Sequence, residues 1–131
     1  VKKIGIINQP ISAVVASLGH TDTVVIADAG LPIPPEPQRI DLALTEGIPT
    51  FLDTLRVVLT EMQVERAIVA AEMLEVSPAV YQAIKDLLGD IPIETVPHDI
   101  FKRQTNSARA VIRTGEFTAY ANVILAAGVV F

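Results

Sequence analysis

The stretch "LGHTDTVVIADAGLPIP", Leu18 to Pro34, decides the fold. At its centre Val24, Val25 and Ile26 follow one another without a polar break. A short apolar run bounded by turn-forming residues reads as a strand covered on both faces, the kind found in sheets with helices on each side. Before it, Ile11, Val14, Val15 and Leu18 recur at helical spacing, and Gly19 supplies the left-handed position that ends such a helix. After it stand Pro32, Pro34, Pro35 and Pro37, which remove backbone donors and favour a stiff, shaped loop.

Working outward, further strands are expected at Lys3 to Ile7, 39–44 ("RIDLAL"), 66–72 ("RAIVAAE"), 91–97 ("IPIETVP"), 108–115 ("ARAVIRTG") and 122–131 ("NVILAAGVVF"). Between them a helix over 48–62 carries Phe51, Leu55, Val58, Leu59 and Met62 on one face. A second, capped by Ser77 with Pro78 at its first position, presents Val80, Ile84, Leu87 and Leu88 and ends at Gly89. A short third spans about 99–104. Alternating strands and helices predict an α/β fold: a single three-layer domain with a largely parallel sheet, Rossmann-like but without a dinucleotide motif. No repeat, low-complexity segment or linker divides residues 1–131, so one domain is expected. The closing "GVVF" is an apolar strand whose expected fate is burial in the sheet or against a neighbouring subunit.

Composition narrows the function. Ten Lys and Arg against fifteen Asp and Glu leave a net charge of −5, which gives no basis for a phosphate-binding surface, so nucleic acid is not an expected partner. There is no cysteine, which removes disulfides and thiolate chemistry and fits a cytoplasmic setting. No apolar stretch approaches the ~20 residues of a membrane span, and the start "VKKIGIINQP" is too short in apolar character for a secretory signal. Half the residues are hydrophobic and 19% charged, which leaves apolar surface for other subunits and predicts an oligomer.

The candidate chemistry sits at strand ends. His20 and His98 are the two histidines, each in a polar junction outside the apolar runs. His20 is the natural acid/base candidate, since imidazole titrates near neutrality; the plainer alternative is a helix cap or a loop hydrogen bond. Asp28 closes a buried strand, where ligands gather in open α/β sheets, and can equally be a turn residue. His98 and Asp99 follow another strand, with helix capping preferred for Asp99. In "RTGEFTAYAN", Tyr120 and Asn122 suit a polyhydroxylated ligand, or a sheet-edge cover and a turn. His20, Asp28 and His98 match no metal-ligand spacing, and phosphate-loop and nucleophile-elbow motifs are missing, so no metal or cofactor is expected. One tension stands out: a fully extended chain would separate His20 from Asp28 by up to ~26 Å, too far for one small ligand unless the chain folds back or the two serve different sites.

The segments "GIIN", "LGHTDTVVIADAGLPIP" and "VIRTGEFTAYANVILAAGVVF", with the 131-residue length, resemble the RbsD/FucU sugar-mutarotase family over nearly the whole chain. The resemblance implies cofactor-free interconversion of the pyranose and furanose forms of D-ribose ahead of phosphorylation. It assigns His20 as proton donor and Asp28, His98, Tyr120, Asn122 and Lys102 to the sugar. It also implies a decamer of two stacked pentamers with sites shared between subunits, and a chain fold that brings His20 and Asp28 into one site. L-Fucose mutarotation and a non-catalytic sugar-binding accessory of a ribose transporter are the alternatives. Pro10 and the loop "PIPPEPQ" depart from the expected pattern; a proline in a first helical turn is tolerated.

Overall fold

The computed structural model describes residues 1–131. Its elements run α1 (Gln9–Ser17), β1 (Thr23–Ala27), β2 (Gln38–Asp41), α2 (Phe51–Leu59), β3 (Val64–Ala70), α3 (Glu72–Val76), α4 (Pro78–Leu88), β4 (Ile93–Val96), α5 (His98–Gln104), β5 (Ala110–Arg113) and β6 (Val123–Ala127), with a 3-10 turn at Thr105–Ser107. The apolar run at the centre of the quoted stretch is β1, and Val24 to Ala27 are at most 1% exposed. Its alternating side chains feed two cores. Val24 and Ile26 join Ile11 and Val14 of α1, Phe51, Leu55 and Val58 of α2, and Ile84 and Leu88 of α4. Val25 and Ala27 join a smaller cluster with Leu31 and Phe101 of α5. This is the three-layer arrangement that a strand apolar on both faces requires.

The six strands form one sheet in the order β2-β5-β1-β6-β3-β4. β6 runs antiparallel to β1 and β3, and the other pairings are parallel. The reversal follows from chain length. Residues 114–122 connect β5 to β6, fewer than the dozen or so that a parallel crossover needs. β6 therefore begins at the edge where β5 ends. Against β6, β3 carries a bulge: Val64 pairs with Ala127 and Arg66 with Ala126, leaving Glu65 as the extra residue.

Several expectations change. Lys3 to Ile7 is not a strand: Gly5 has φ +80 and turns the chain, Ile4 and Ile7 are exposed, and Ile6 alone is buried, its N–H donating to the Glu61 carboxylate. The left-handed residue near the end of α1 is Thr21 rather than Gly19. β2 stops at Asp41 because its carboxylate accepts from the Ala43 N–H at 3.0 Å and starts a turn. α2 begins at Phe51, with the Thr50 hydroxyl accepting from the Asp53 N–H at 3.1 Å, while Ile48 bridges back to Thr45. Ser77 does precede α4, and Gly89 ends it at φ +59. The Ser77 hydroxyl, however, donates to the Ala119 carbonyl at 2.6 Å instead of capping. The pairing of β6 ends at Ala127, so Val130 and Phe131 stand exposed on this chain and form no strand. Pro10 is absorbed in the first turn of α1, as expected.

Candidate functional site

The carboxyl ends of β1, β3, β4 and β5 and the start of β6 lie along one edge of the sheet, the position where open α/β sheets hold ligands. Four of the sequence candidates are linked there by contact. Asp28 and Asn122 bond in both directions: the Asp28 N–H donates to Asn122 Oδ1 at 2.7 Å, and Asn122 Nδ2 donates to Asp28 Oδ2 at 3.0 Å. The other carboxylate oxygen, Oδ1, accepts from the N–H groups of Gly30 and Leu31 at 2.9 and 2.8 Å. Asp28 is thus the turn residue that its position suggested, and the same turn holds its carboxylate rigid. Asn122 is 1% exposed, so its amide is committed to that pairing.

Tyr120 joins the group through the backbone. It sits at φ +62, and its carbonyl accepts the Asn122 N–H at 2.8 Å. A non-glycine residue with a positive φ is held there by its surroundings, here by Ser77, whose hydroxyl grips the neighbouring Ala119 carbonyl. The conformation turns the ring against His98, with centroids 5.0 Å apart in an edge contact. His98 opens α5 directly after β4. Its backbone N–H donates to both oxygens of the Glu72 carboxylate at 3.1 Å, and its ring stacks on Phe101 at 6.2 Å. His98 Nδ1 is buried without a hydrogen-bond partner in the chain. An orphaned buried nitrogen carries a cost that a bound hydroxyl would remove.

One expectation is corrected at this edge. Asp99 does not cap α5: Pro97 holds the cap position, and Asp99 lies in the first turn, 3.6 Å from the Lys102 ammonium. The end of the helix is satisfied instead by Glu72. Lys102 sits four residues after His98, which places it on the same helical face. Beside Asp28, an open cleft of about 320 Å³ is lined by Ala29, Gly30, Arg113, Glu116 and Phe117. Arg113 is anchored by donating to the Ala29 carbonyl at 3.0 Å and to both oxygens of Asp41.

His20 is elsewhere. It precedes β1, and Thr21 and Asp22 pair with Ala127 at the far end of β6. His20 and Asp28 therefore flank opposite ends of a straight five-residue strand, about 17 Å long at ~3.3 Å per residue. The chain does not fold back around β1 as the resemblance implied. A buried strand hydrogen-bonded on both sides has no freedom to bend. His20 is about half exposed, and its Nε2 lies 2.8 Å from Glu65 Oε2.

Glu65 and Glu72 were not singled out from the sequence. Glu72 had a usable signal, a carboxylate directly after the apolar end of a strand candidate. Glu65 had none, since its position depends on the register with β6. His20, Asp28 and His98 form no group spaced to hold a metal ion, and no helix is long and apolar enough to cross a membrane.

The model of the RbsD / FucU transport protein family matches residues 1–130. A protein of Coprothermobacter proteolyticus named D-ribose pyranase is 57% identical over 130 residues, covering 99% of each chain. The structure of Bacillus subtilis RbsD complexed with D-ribose superposes with a TM-score of 0.97 at 49% identity, covering 100% of both chains. FucU from Bifidobacterium longum follows at a TM-score of 0.79 and 27% identity, covering 95% of this chain and 97% of its own.

Proposed function

Because this chain belongs to the RbsD / FucU transport protein family, we propose that it is an isomerase of the D-ribose pyranase type, interconverting the pyranose and furanose rings of D-ribose. The observation that carries this reading is the linked group Asp28, Asn122, Tyr120 and His98 at the sheet edge of a chain 57% identical to a D-ribose pyranase along its length. The fucose reading is weaker, since the FucU likeness is both lower in identity and looser in shape.

The reaction needs proton transfer and no redox step or cofactor. The ring oxygen O5 gains a proton as the anomeric hydroxyl loses one, and the C1–O5 bond breaks to give the open aldehyde. The C4 hydroxyl then adds to C1, losing its proton while the aldehyde oxygen gains one, so the overall change is neutral. His20 is the proton donor, an imidazole being able to both give and take a proton near neutral pH. Asn122 fixes the Asp28 carboxylate through their mutual bonds, and Asp28 presents its remaining Oδ2 lone pair to a sugar hydroxyl. His98 Nδ1 offers its unsatisfied nitrogen, Tyr120 covers the ring, and Lys102 reaches toward the same edge.

The separation of His20 from this group implies that a working site takes His20 from one subunit and the sugar-binding group from its neighbour. Exposed apolar residues support such assembly: Ile7 and Val57 line an apolar groove, and Ile4, Val130 and Phe131 stand exposed. Large apolar patches on soluble proteins mark contact surfaces. A homodecamer of two stacked pentamers is the arrangement we adopt, working in the cytoplasm on free ribose ahead of its phosphorylation in ribose catabolism. The test is ring exchange measured by NMR magnetisation transfer, with D-ribose and L-fucose side by side. Acceleration of ribose exchange that His20→Ala abolishes is the expected result. Binding of ribose with exchange left at its solution rate would instead establish a sugar-binding accessory.

A further inference from the structure

His20 and Glu65 are 45 positions apart, yet the His20 Nε2 lies 2.8 Å from Glu65 Oε2. They meet across the end of β6. On one side the Thr21 N–H donates to the Ala127 carbonyl at 2.9 Å and the Ala127 N–H to the Asp22 carbonyl at 2.8 Å. On the other, Val64 pairs with Ala127, and the Gly128 N–H donates to the Gln63 carbonyl at 2.9 Å. Glu65 is the extra residue of the β3 bulge, and bulges re-aim side chains that regular pleating would send elsewhere.

Two neighbours keep the pair free of competition. Arg66 is engaged by Glu94 at 3.1 Å. Gly128 lies close enough that a Cβ there would stand 3.1 Å from the Glu65 Cβ. A side chain at 128 would press on Glu65 and displace it.

We propose that Glu65 is the positioning residue for His20, an inference that rests on His20 being the proton donor of the reaction proposed above. An ionised carboxylate only accepts hydrogen bonds, so Nε2 must carry the hydrogen in this pair. The neutral imidazole is then held with its lone pair on Nδ1, which becomes the atom that exchanges protons with the sugar. Protonated His20 keeps the same bond to Glu65 and gives up its proton from Nδ1. Both side chains are about half exposed, and exposed pairs of this kind add little to stability. What Glu65 supports is the direction and tautomer of the ring.

The test compares Glu65→Ala, Glu65→Gln, His20→Ala and the Glu65→Ala/His20→Ala double variant by NMR ring exchange over a range of D-ribose concentrations. Circular dichroism checks that each variant is folded. Glu65→Ala is expected to lower kcat about ten- to a hundredfold with KM nearly unchanged. Glu65→Gln restores part of the rate, because its amide oxygen still accepts from Nε2–H. The double variant is expected to be no slower than His20→Ala alone, since residues acting as a unit are not additive. Imidazole 15N shifts should show the Nε2–H tautomer in the unmodified protein and a mixed population in Glu65→Ala. A Glu65→Ala protein at full rate beside an inactive His20→Ala protein overturns this proposal alone, as do losses that add in the double variant. Full activity in His20→Ala overturns the proton-donor reading and this inference with it.

Discussion

Co-assembly of two separately inactive variants tests the shared site directly. His20→Ala removes the proposed proton donor at one end of β1, and His98→Ala removes a proposed sugar-binding side chain at the other edge of the sheet. The five residues of β1 hold these edges apart by about 17 Å at ~3.3 Å per residue. A pentose touching His98 in one subunit is therefore out of reach of His20 in the same subunit. In a mixed oligomer built from equal amounts of both variants, a site between neighbours draws its donor from one chain and its binding group from another. Random assembly makes each contribution intact half the time, so about one quarter of sites carry both. Doubly tagged oligomers from co-expression, purified on both tags, should show about a quarter of the unmodified exchange rate by magnetisation transfer. Preparations mixed after assembly, without subunit exchange, should show none beyond the residual rates of the parents. A co-assembled preparation no more active than the sum of the two variants would refute the shared site and require both groups to act within one chain.

Two further outcomes follow from local packing and charge. Gly115→Ala would place a Cβ 2.5 Å from the carbonyl oxygens of Ile48 and Thr45. Overpacking against backbone of this kind costs about 1–3 kcal/mol, to be read as a lower midpoint in urea unfolding. The Asp41 carboxyl is held below its ordinary value: burial alone would raise it, but the Ala43 N–H, the hydrogen bond and charge of Arg113, and the charge of Arg39 together outweigh that effect. A carboxylate lowered by folding contributes stability that is complete above its unfolded value, near ~3.9, and is lost as pH falls through the lower folded value. Asp41→Asn should flatten the loss of stability below about pH 4 in a pH series of thermal unfolding curves, and an unchanged acid limb would contradict the assignment.

Much of the architecture was legible because it rests on short-range rules. The unbroken run Val24 to Ala27 announced a strand buried on both faces, and it is one, because each face of β1 meets its own apolar cluster. Pro78 and Gly89 bracketed α4 through their backbone preferences. Lys3 to Ile7 misled for the same short-range reason: three isoleucines look like a strand, while the turn at Gly5 and the bond to Glu61 come from elsewhere in the chain. The residue types of the candidate site were visible too, since His20, Asp28, His98, Tyr120 and Asn122 all stand at element ends where polar chemistry is exposed.

Which of those residues meet is a question of register and strand direction, and neither is written in local composition. Asp28 and Asn122 lie 94 positions apart and bond because β6 enters the sheet antiparallel beside β1. His20 is carried to the opposite edge by that same strand, and Glu65 reaches it because one extra residue in β3 shifts the ladder. Side-chain identity belongs to each position alone, whereas proximity depends on hydrogen-bond pairing between strands distant in the chain. That is why the sequence named the chemical groups, and the folded sheet sorted them onto two edges that a single subunit keeps apart.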